Sequence, residues 1–245
     1  MIWLGLGLCS FLLLGAWLWP LRKKTCQTLP VLLWEQSDAR NGLALKSLEK
    51  LFATLQRKHF SAVLPDDVLS GPLPQHPILF VLANGYQNYT QILPLLEKYN
   101  FRVTIALPVA LIGQYDAWNL KGPWQNLLTA EQIKAMHATK RVAFISQTLD
   151  NISLDTLDTQ QAIWQLTESK IRLKNLYHLT VQTVLYPYKT PCRPAALNAA
   201  ERLYALQIGH QNGNNSWPLS SHLLRIFPIT PHSCLTRLVW KMRRP

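Results

Sequence analysis

Apolar residues open the chain without a break: none of residues 1–21 is charged, and Arg22 is the first charge. A helix rises ~1.5 Å per residue, so this run spans ~31 Å, about the hydrocarbon thickness of a bilayer. No charged segment precedes it and no small-x-small site follows it, which favours an uncleaved anchor over a signal peptide. Leu8 before Cys9 argues against a lipid-modified cysteine. Trp17, Trp19 and Pro20, ahead of Arg22, Lys23 and Lys24, read as an interfacial belt and a stop. The pattern therefore predicts a transmembrane helix over 1–21, a basic juxtamembrane linker over 22–28 and a folded domain over 29–245.

Within that domain the pattern turns periodic. Residues 29–34 form a short apolar run that reads as a strand. Leu45, Leu48, Leu51, Phe52 and Leu55 make a 3.6-period stripe, which predicts an amphipathic helix over 43–59. Strands follow over 60–64 and 78–82, separated by a loop punctuated by Pro72, Pro74 and Pro77. The second is continuously apolar, as a strand buried on both faces should be. Further strands are predicted over 101–107, 141–145 and 183–186, and helices over 90–99, 129–138, 158–177 and 195–206. Thr129 supplies a helix N-cap with Glu131 in the first turn. Strand and helix alternate without internal repeats, which indicates parallel βα units in an open sheet or a barrel. About seven strands favour a distorted (β/α) barrel, whose chemistry would sit at the carboxyl ends of the strands.

Composition narrows the class. With 48% hydrophobic and 16% charged residues the chain is neither disordered nor low-complexity. Four cysteines without a Cys-x-x-Cys pair exclude a disulfide scaffold and that kind of structural zinc site; Cys192 and Cys234 are expected to be free thiols. The net charge of +12 calls for an anionic neighbour. The basic residues are dispersed and no nucleic-acid recognition pattern accompanies them, so membrane lipid is the expected partner and nucleic acid is not.

The segments after the strands carry the candidate chemistry. In chain order they read Ala83-Asn84-Gly85-Tyr86 with a Leu93-Pro94-Leu95-Leu96 helix, Thr104-Ile105-Ala106, Ser146-Gln147-Thr148-Leu149-Asp150-Asn151, and Leu185-Tyr186-Pro187-Tyr188. This order resembles the polysaccharide deacetylase family, the NodB-homology domain, with its Thr-Phe-Asp-Asp-Gly-Tyr, Ala-Thr-Phe-Phe, Ser-His-Thr-x-x-His and Tyr-Pro-Tyr-Gly motifs. Flanking segments agree: Leu128-Thr-Ala-Glu-Gln-Ile133 also resembles family sequence, and Leu224-Arg225-Ile226 resembles its late strand. The resemblance implies a distorted (β/α) barrel, hydrolysis of carbon–nitrogen bonds in acetylated sugars, and a divalent metal held by one aspartate and two histidines. It places the base at Ala83 and the metal ligands at Asn84, Gln147 and Asn151. Neutral amides are poor ligands for a zinc-type ion and alanine takes no proton, so neither a metal cofactor nor a confident catalytic residue is expected.

The amides at 84, 147 and 151 are expected to bond to one another at the barrel mouth, with sugar contact as the functional alternative. Asn84, Tyr86, Gln147, Asn151, Tyr186, Tyr188 and Arg225 are the candidate substrate-binding residues; the plainer expectation is that the tyrosines are packed aromatics with satisfied hydroxyls and that Arg225 pairs with a scaffold carboxylate. His232 lies near where a catalytic acid sits in some relatives. Two readings stand. One is a membrane-anchored, non-catalytic deacetylase-like protein that binds glycan or supports a polysaccharide assembly or export machine. The other is a hydrolase of altered, metal-independent chemistry using Glu35, Asp38 or Asp150. The resemblance points to the periplasmic side of an inner membrane, whereas Arg22, Lys23 and Lys24 argue for the cytoplasm; the periplasmic side is the expectation.

Overall fold

The computed structural model describes residues 27–34, 44–120, 122–191 and 193–243. The expected anchor over 1–21, Glu35 and Asp38 lie outside the described residues. No helix among the described residues is long and apolar enough to cross a membrane.

The strands are β1 (Gln27–Leu29), β2 (Val31–Trp34), β3 (Ser61–Val63), β4 (Pro77–Leu82), β5 (Val103–Leu107), β6 (Val142–Ser146), β7 (Thr183–Leu185), β8 (Leu206–Asn212), β9 (Asn215–Trp217) and β10 (Leu223–Ile229). Between and after them run α1 (Leu45–Arg57), α2 (Pro65–Ser70), α3 (Leu93–Lys98), α4 (Ala130–Ala138), α5 (Thr159–Tyr177), α6 (Pro194–Leu203) and α7 (Leu235–Met242). Seven parallel strands close a ring in the order β2, β10, β8, β7, β6, β5, β4 and back to β2. Leu79 pairs with Val31 on one edge of β4 and with Val63 of β3 on the other, where β5 takes over at Val81 and Leu82. That split edge distorts the barrel. The short antiparallel pair of β1 and β9 lies at its amino-terminal end, because β1 runs directly into β2.

Alternation along each strand sorts side chains between two cores. From β4, Leu79, Val81 and the following Ala83 join Val31, Leu33, Ala106, Ile145, Leu185, Ile208 and Ile226 inside the barrel. Ile78, Phe80 and Leu82 face the helices instead. There Phe52 of α1 stacks on Phe101 at 5.0 Å and meets Phe80 edge-on at 5.4 Å. Burying a ring of this size contributes roughly 2–3 kcal/mol. The expected run of helix over 90–99 is broken: Gln87–Ile92 is 3₁₀ and only Leu93–Lys98 is α-helical. Pro94 explains the boundary, since a proline lacking its N–H is tolerated only in a first helical turn.

The expected cap at Thr129 forms, and Asp158 caps α5 in the same way. Thr129 and Gln132 exchange bonds of 3.3 and 3.0 Å at the start of α4, and Asp158 and Gln161 exchange bonds of 2.8 and 3.1 Å at the start of α5. Strand β1, paired from Gln27, takes up the end of the segment expected as a linker over 22–28. The helix expected over 195–206 stops at Leu203: Tyr204 is extended, and Leu206 opens β8.

Candidate functional site

The site is built where β4 and β6 end. Asn84 and Gly85 take φ of 70° and 59°, two left-handed residues in succession that turn the chain sharply out of β4. A side chain at Gly85 would come within 2.8 Å of Leu107 Cδ2, so glycine serves both the turn and the close approach. After β6, Thr148 and Asn151 are also left-handed, at 62° and 57°. These two reversals fold residues 147–151 back on themselves.

Three carboxamides meet as a result. Gln147 Nε2 donates to Asn84 Oδ1 at 2.7 Å and to Asn151 Oδ1 at 2.9 Å. The backbone N–H of Asn84 donates to Gln147 Oε1 at 2.7 Å, and Asn151 Nδ2 reaches Asn84 Oδ1 at 3.4 Å. Both amide protons and the oxygen of Gln147 are thereby engaged. Gln147 is 4% exposed, Asn151 3%, and Asn84 is half-buried. In the barrel interior beside them lies the methyl of Ala83, whose carbonyl accepts from Tyr89 Oη at 2.9 Å.

Helix α5 holds the 147–151 loop in place. Gln165 Oε1 accepts the backbone N–H groups of Leu149 and Asp150 at 3.1 and 3.0 Å, and its Nε2 donates to Asp150 Oδ2 at 2.6 Å. Asp150 is therefore bound to α5 rather than to the amide cluster.

Tyr86 lies beside Asn84 and is buried. Its ring packs edge-on against Tyr89 at 5.8 Å and tilts toward Trp118 at 6.4 Å. Its hydroxyl interacts with Asn84, Trp118 and Asp116; burial first, and then the Asp116 carboxylate, push its pKa far above the ordinary tyrosine value. The phenol stays protonated there. Asp116 is 1% exposed, and its Oδ1 accepts the backbone N–H of Gln125 at 2.6 Å. Sequence reasoning missed this carboxylate. It stands in a loop without periodicity, and its backbone partner is nine residues away along the chain.

The other candidates lie elsewhere. Tyr186 is fully buried on the helix side of the barrel, donating to Gln207 Oε1 at 3.2 Å while its carbonyl meets His210 Nε2 at 2.7 Å. Tyr188 is more than half exposed, in the left-handed region, on the loop after β7. Arg225, on β10, lines a cavity with Thr28, Gln211 and Asn214, and no carboxylate pairs with it among the described residues. The expected pairing with a scaffold carboxylate is thus not formed among the described residues. His232 borders a separate cavity of about 240 Å³ with Trp34, Ser47 and Lys50. Cys234 is an exposed free thiol, and Cys192 lies outside the described residues.

Asn84, Gln147 and Asn151 converge closely enough to share an ion, but their donor set does not fit a zinc-type metal. Such an ion asks for thiolate, imidazole or carboxylate, whereas each amide here already bonds to its neighbours. Among the described residues, no three His, Cys, Asp or Glu side chains come together as a metal-binding group.

The model of the polysaccharide deacetylase family matches residues 71–211, more than half of the chain. The chain is 26% identical over 201 residues to YxkH of Bacillus subtilis, whose name is that of a polysaccharide deacetylase. That match takes in 78% of this chain but only 65% of YxkH, so the chain spans less than two thirds of that relative. Among solved structures it is similar to the Streptococcus pyogenes deacetylase PplD in complex with acetate, at a TM-score of 0.74 and 16% identity over 90% of this chain and 100% of that one. It is equally similar to IcaB from Ammonifex degensii, at a TM-score of 0.75 and 16% identity over 89% and 98% of the two chains. At such identities the structural likeness speaks for the fold.

Proposed function

The chain belongs to the polysaccharide deacetylase family, and from that premise we propose that it is a membrane-anchored, non-hydrolytic member that binds glycan and serves a cell-envelope polysaccharide assembly or export system. The observation that carries this reading is the closed amide cluster of Asn84, Gln147 and Asn151. Metal-assisted hydrolysis needs an ion to acidify water and a base to take its proton. Carboxamides do neither, Ala83 has no proton acceptor, and the Tyr86 phenol is held neutral. The uncharged run over 1–21 and the basic residues beyond it support anchoring; the periplasmic face is taken from the family resemblance, against the direction of those charges.

The test is metal content and turnover together. The full chain, purified in detergent, is expected to carry no stoichiometric zinc, nickel or cobalt and to release no acetate from N-acetylglucosamine oligomers. Stoichiometric metal with acetate release would sink the proposal. A reporter fused to the C-terminus, active on one side of the membrane only, checks the topology.

One observation favours a second reading, a hydrolase of altered chemistry. Asp116 places a buried carboxylate beside the Tyr86 hydroxyl and within one residue of contact from Asn84. In that case turnover would persist in EDTA and vanish in Asp116→Asn. Asp150, bonded to Gln165, would then be dispensable.

A further inference from the structure

We propose that the paired rings of Tyr115 and Trp124 form a stacking platform for an uncharged pyranose strand at the rim of the barrel mouth. This inference rests on the glycan-binding reading and assigns that binding to residues outside the amide cluster. Gln147 and Asn151 are 4% and 3% exposed and bonded to each other and to Asn84, so little of their surface is open to a sugar. The loop between β5 and α4 offers what the mouth lacks. Its two rings stack at 4.6 Å with only 18° between their planes, yet Tyr115 is 43% and Trp124 61% exposed. Each therefore turns a free face to solvent.

The platform is built, not incidental. Tyr115 and Asn126 form an antiparallel bridge, and Asp116 clasps Gln125 through both backbone and carboxylate. Trp124 Nε1 donates to the Asn119 carbonyl at 3.1 Å, which fixes the plane of the indole. The same loop is pinned to the segment that carries Asn84: Gln87 N–H donates to Asn126 O and Leu128 N–H to Gly85 O, both at 2.9 Å. A rigid aromatic face loses little entropy when it binds.

The surroundings select the occupant. Gln114, Asn119, Gln125 and Asn126 flank the rings, and Asp116 and Lys121 are the only charged residues between 113 and 130. A flat apolar face edged by neutral amides suits the C–H face and hydroxyls of a pyranose. An anionic lipid surface would ask for a cluster of Lys and Arg instead.

The experiment titrates the full chain in detergent with hexamers of N-acetylglucosamine, β-1,4-linked and β-1,6-linked, followed by saturation-transfer NMR. Trp124→Ala and Tyr115→Leu are each expected to weaken binding about tenfold, the upper end of one aromatic contact. Trp124→Phe should retain most of the affinity, which excludes a merely structural loss. Trp240→Ala, an exposed tryptophan on α7, should bind as the parent does. If the parent binds a hexamer and both platform variants bind it equally well, the platform is wrong while the glycan reading stands. If the parent binds neither hexamer, both fall. If Trp124→Ala leaves sugar binding intact but abolishes added adhesion to phosphatidylglycerol vesicles, the face is a lipid contact and this inference is overturned.

Discussion

Two polar clusters of this molecule are alike in being uncharged and buried, and differ in what they hold. On the helix side of the barrel, Tyr204 Oη donates to the Leu166 carbonyl at 2.9 Å and meets Ser169 Oγ at 3.0 Å, while Ser146 Oγ reaches Ser169 at 2.9 Å. That group ties β6, α5 and the approach to β8 together, and it ends on backbone. At the mouth, Asn84, Gln147 and Asn151 bond chiefly to one another, with a single backbone N–H in the set. The first cluster is part of what keeps the layers in register. The second hangs from loops whose shape is set by Gln165 of α5 and by left-handed backbone at Asn84, Gly85, Thr148 and Asn151 rather than by the amide–amide bonds. Mouth chemistry can therefore change while the barrel stays as it is.

The contrast is broken most forcefully at Tyr204. Tyr204→Ala is expected to cost about 3–5 kcal/mol in denaturant unfolding, through lost packing and orphaned hydroxyls. Gln165→Ala should cost about 2–3 kcal/mol, because two backbone N–H groups lose their acceptor. It should also raise hydrogen exchange at Leu149 and Asp150 while β6 stays protected.

Alkali probes both clusters at once. Burial raises the pKa of Tyr86, Tyr186 and Tyr204 above the ordinary value of about 10. Above that pH the unfolded chain releases these protons and the folded chain keeps them. Stability is therefore full below pH ~10 and falls as pH rises beyond it, by up to about 1.4 kcal/mol per unit for each tyrosine. Tyrosinate absorption from these rings should appear together with unfolding; its appearance in the folded protein would contradict their burial. The smallest effect belongs to the mouth. Asn151→Ala should cost only about 1 kcal/mol, since Gln147 keeps its bond to Asn84.

Much of the barrel was legible because its strands are unbroken apolar runs, such as Ile78 to Leu82, and its long helices carry caps such as Asp158. What escaped was disguised by individual residues. Gly209 interrupts β8, where a side chain would meet Thr190 Oγ1 at 2.5 Å. Pro65, just past the strand expected over 60–64, begins the short helix α2, for which the pattern held no periodic signal. At the site, the resemblance of the segments after β4 and β6 to the family's motifs foretold the meeting of Asn84, Gln147 and Asn151. Tyr186 could not be placed from spacing alone, because one step of strand phase decides whether a ring faces the mouth or the helices. Asp116 left no trace in the pattern, since loop contacts have no period.

On the proposed reading, the mouth would hold a metal once carboxylate and imidazole replaced its amides. Titrating Co²⁺ into the full chain and into the variant Ala83→Asp, Asn84→Asp, Gln147→His, Asn151→His tests it directly. Aspartate and histidine both tolerate the left-handed backbone found at 84 and 151. The variant is expected to bind at least about tenfold tighter than the parent, or ~1.4 kcal/mol. Equal affinities in two proteins with the same circular dichroism would contradict the claim.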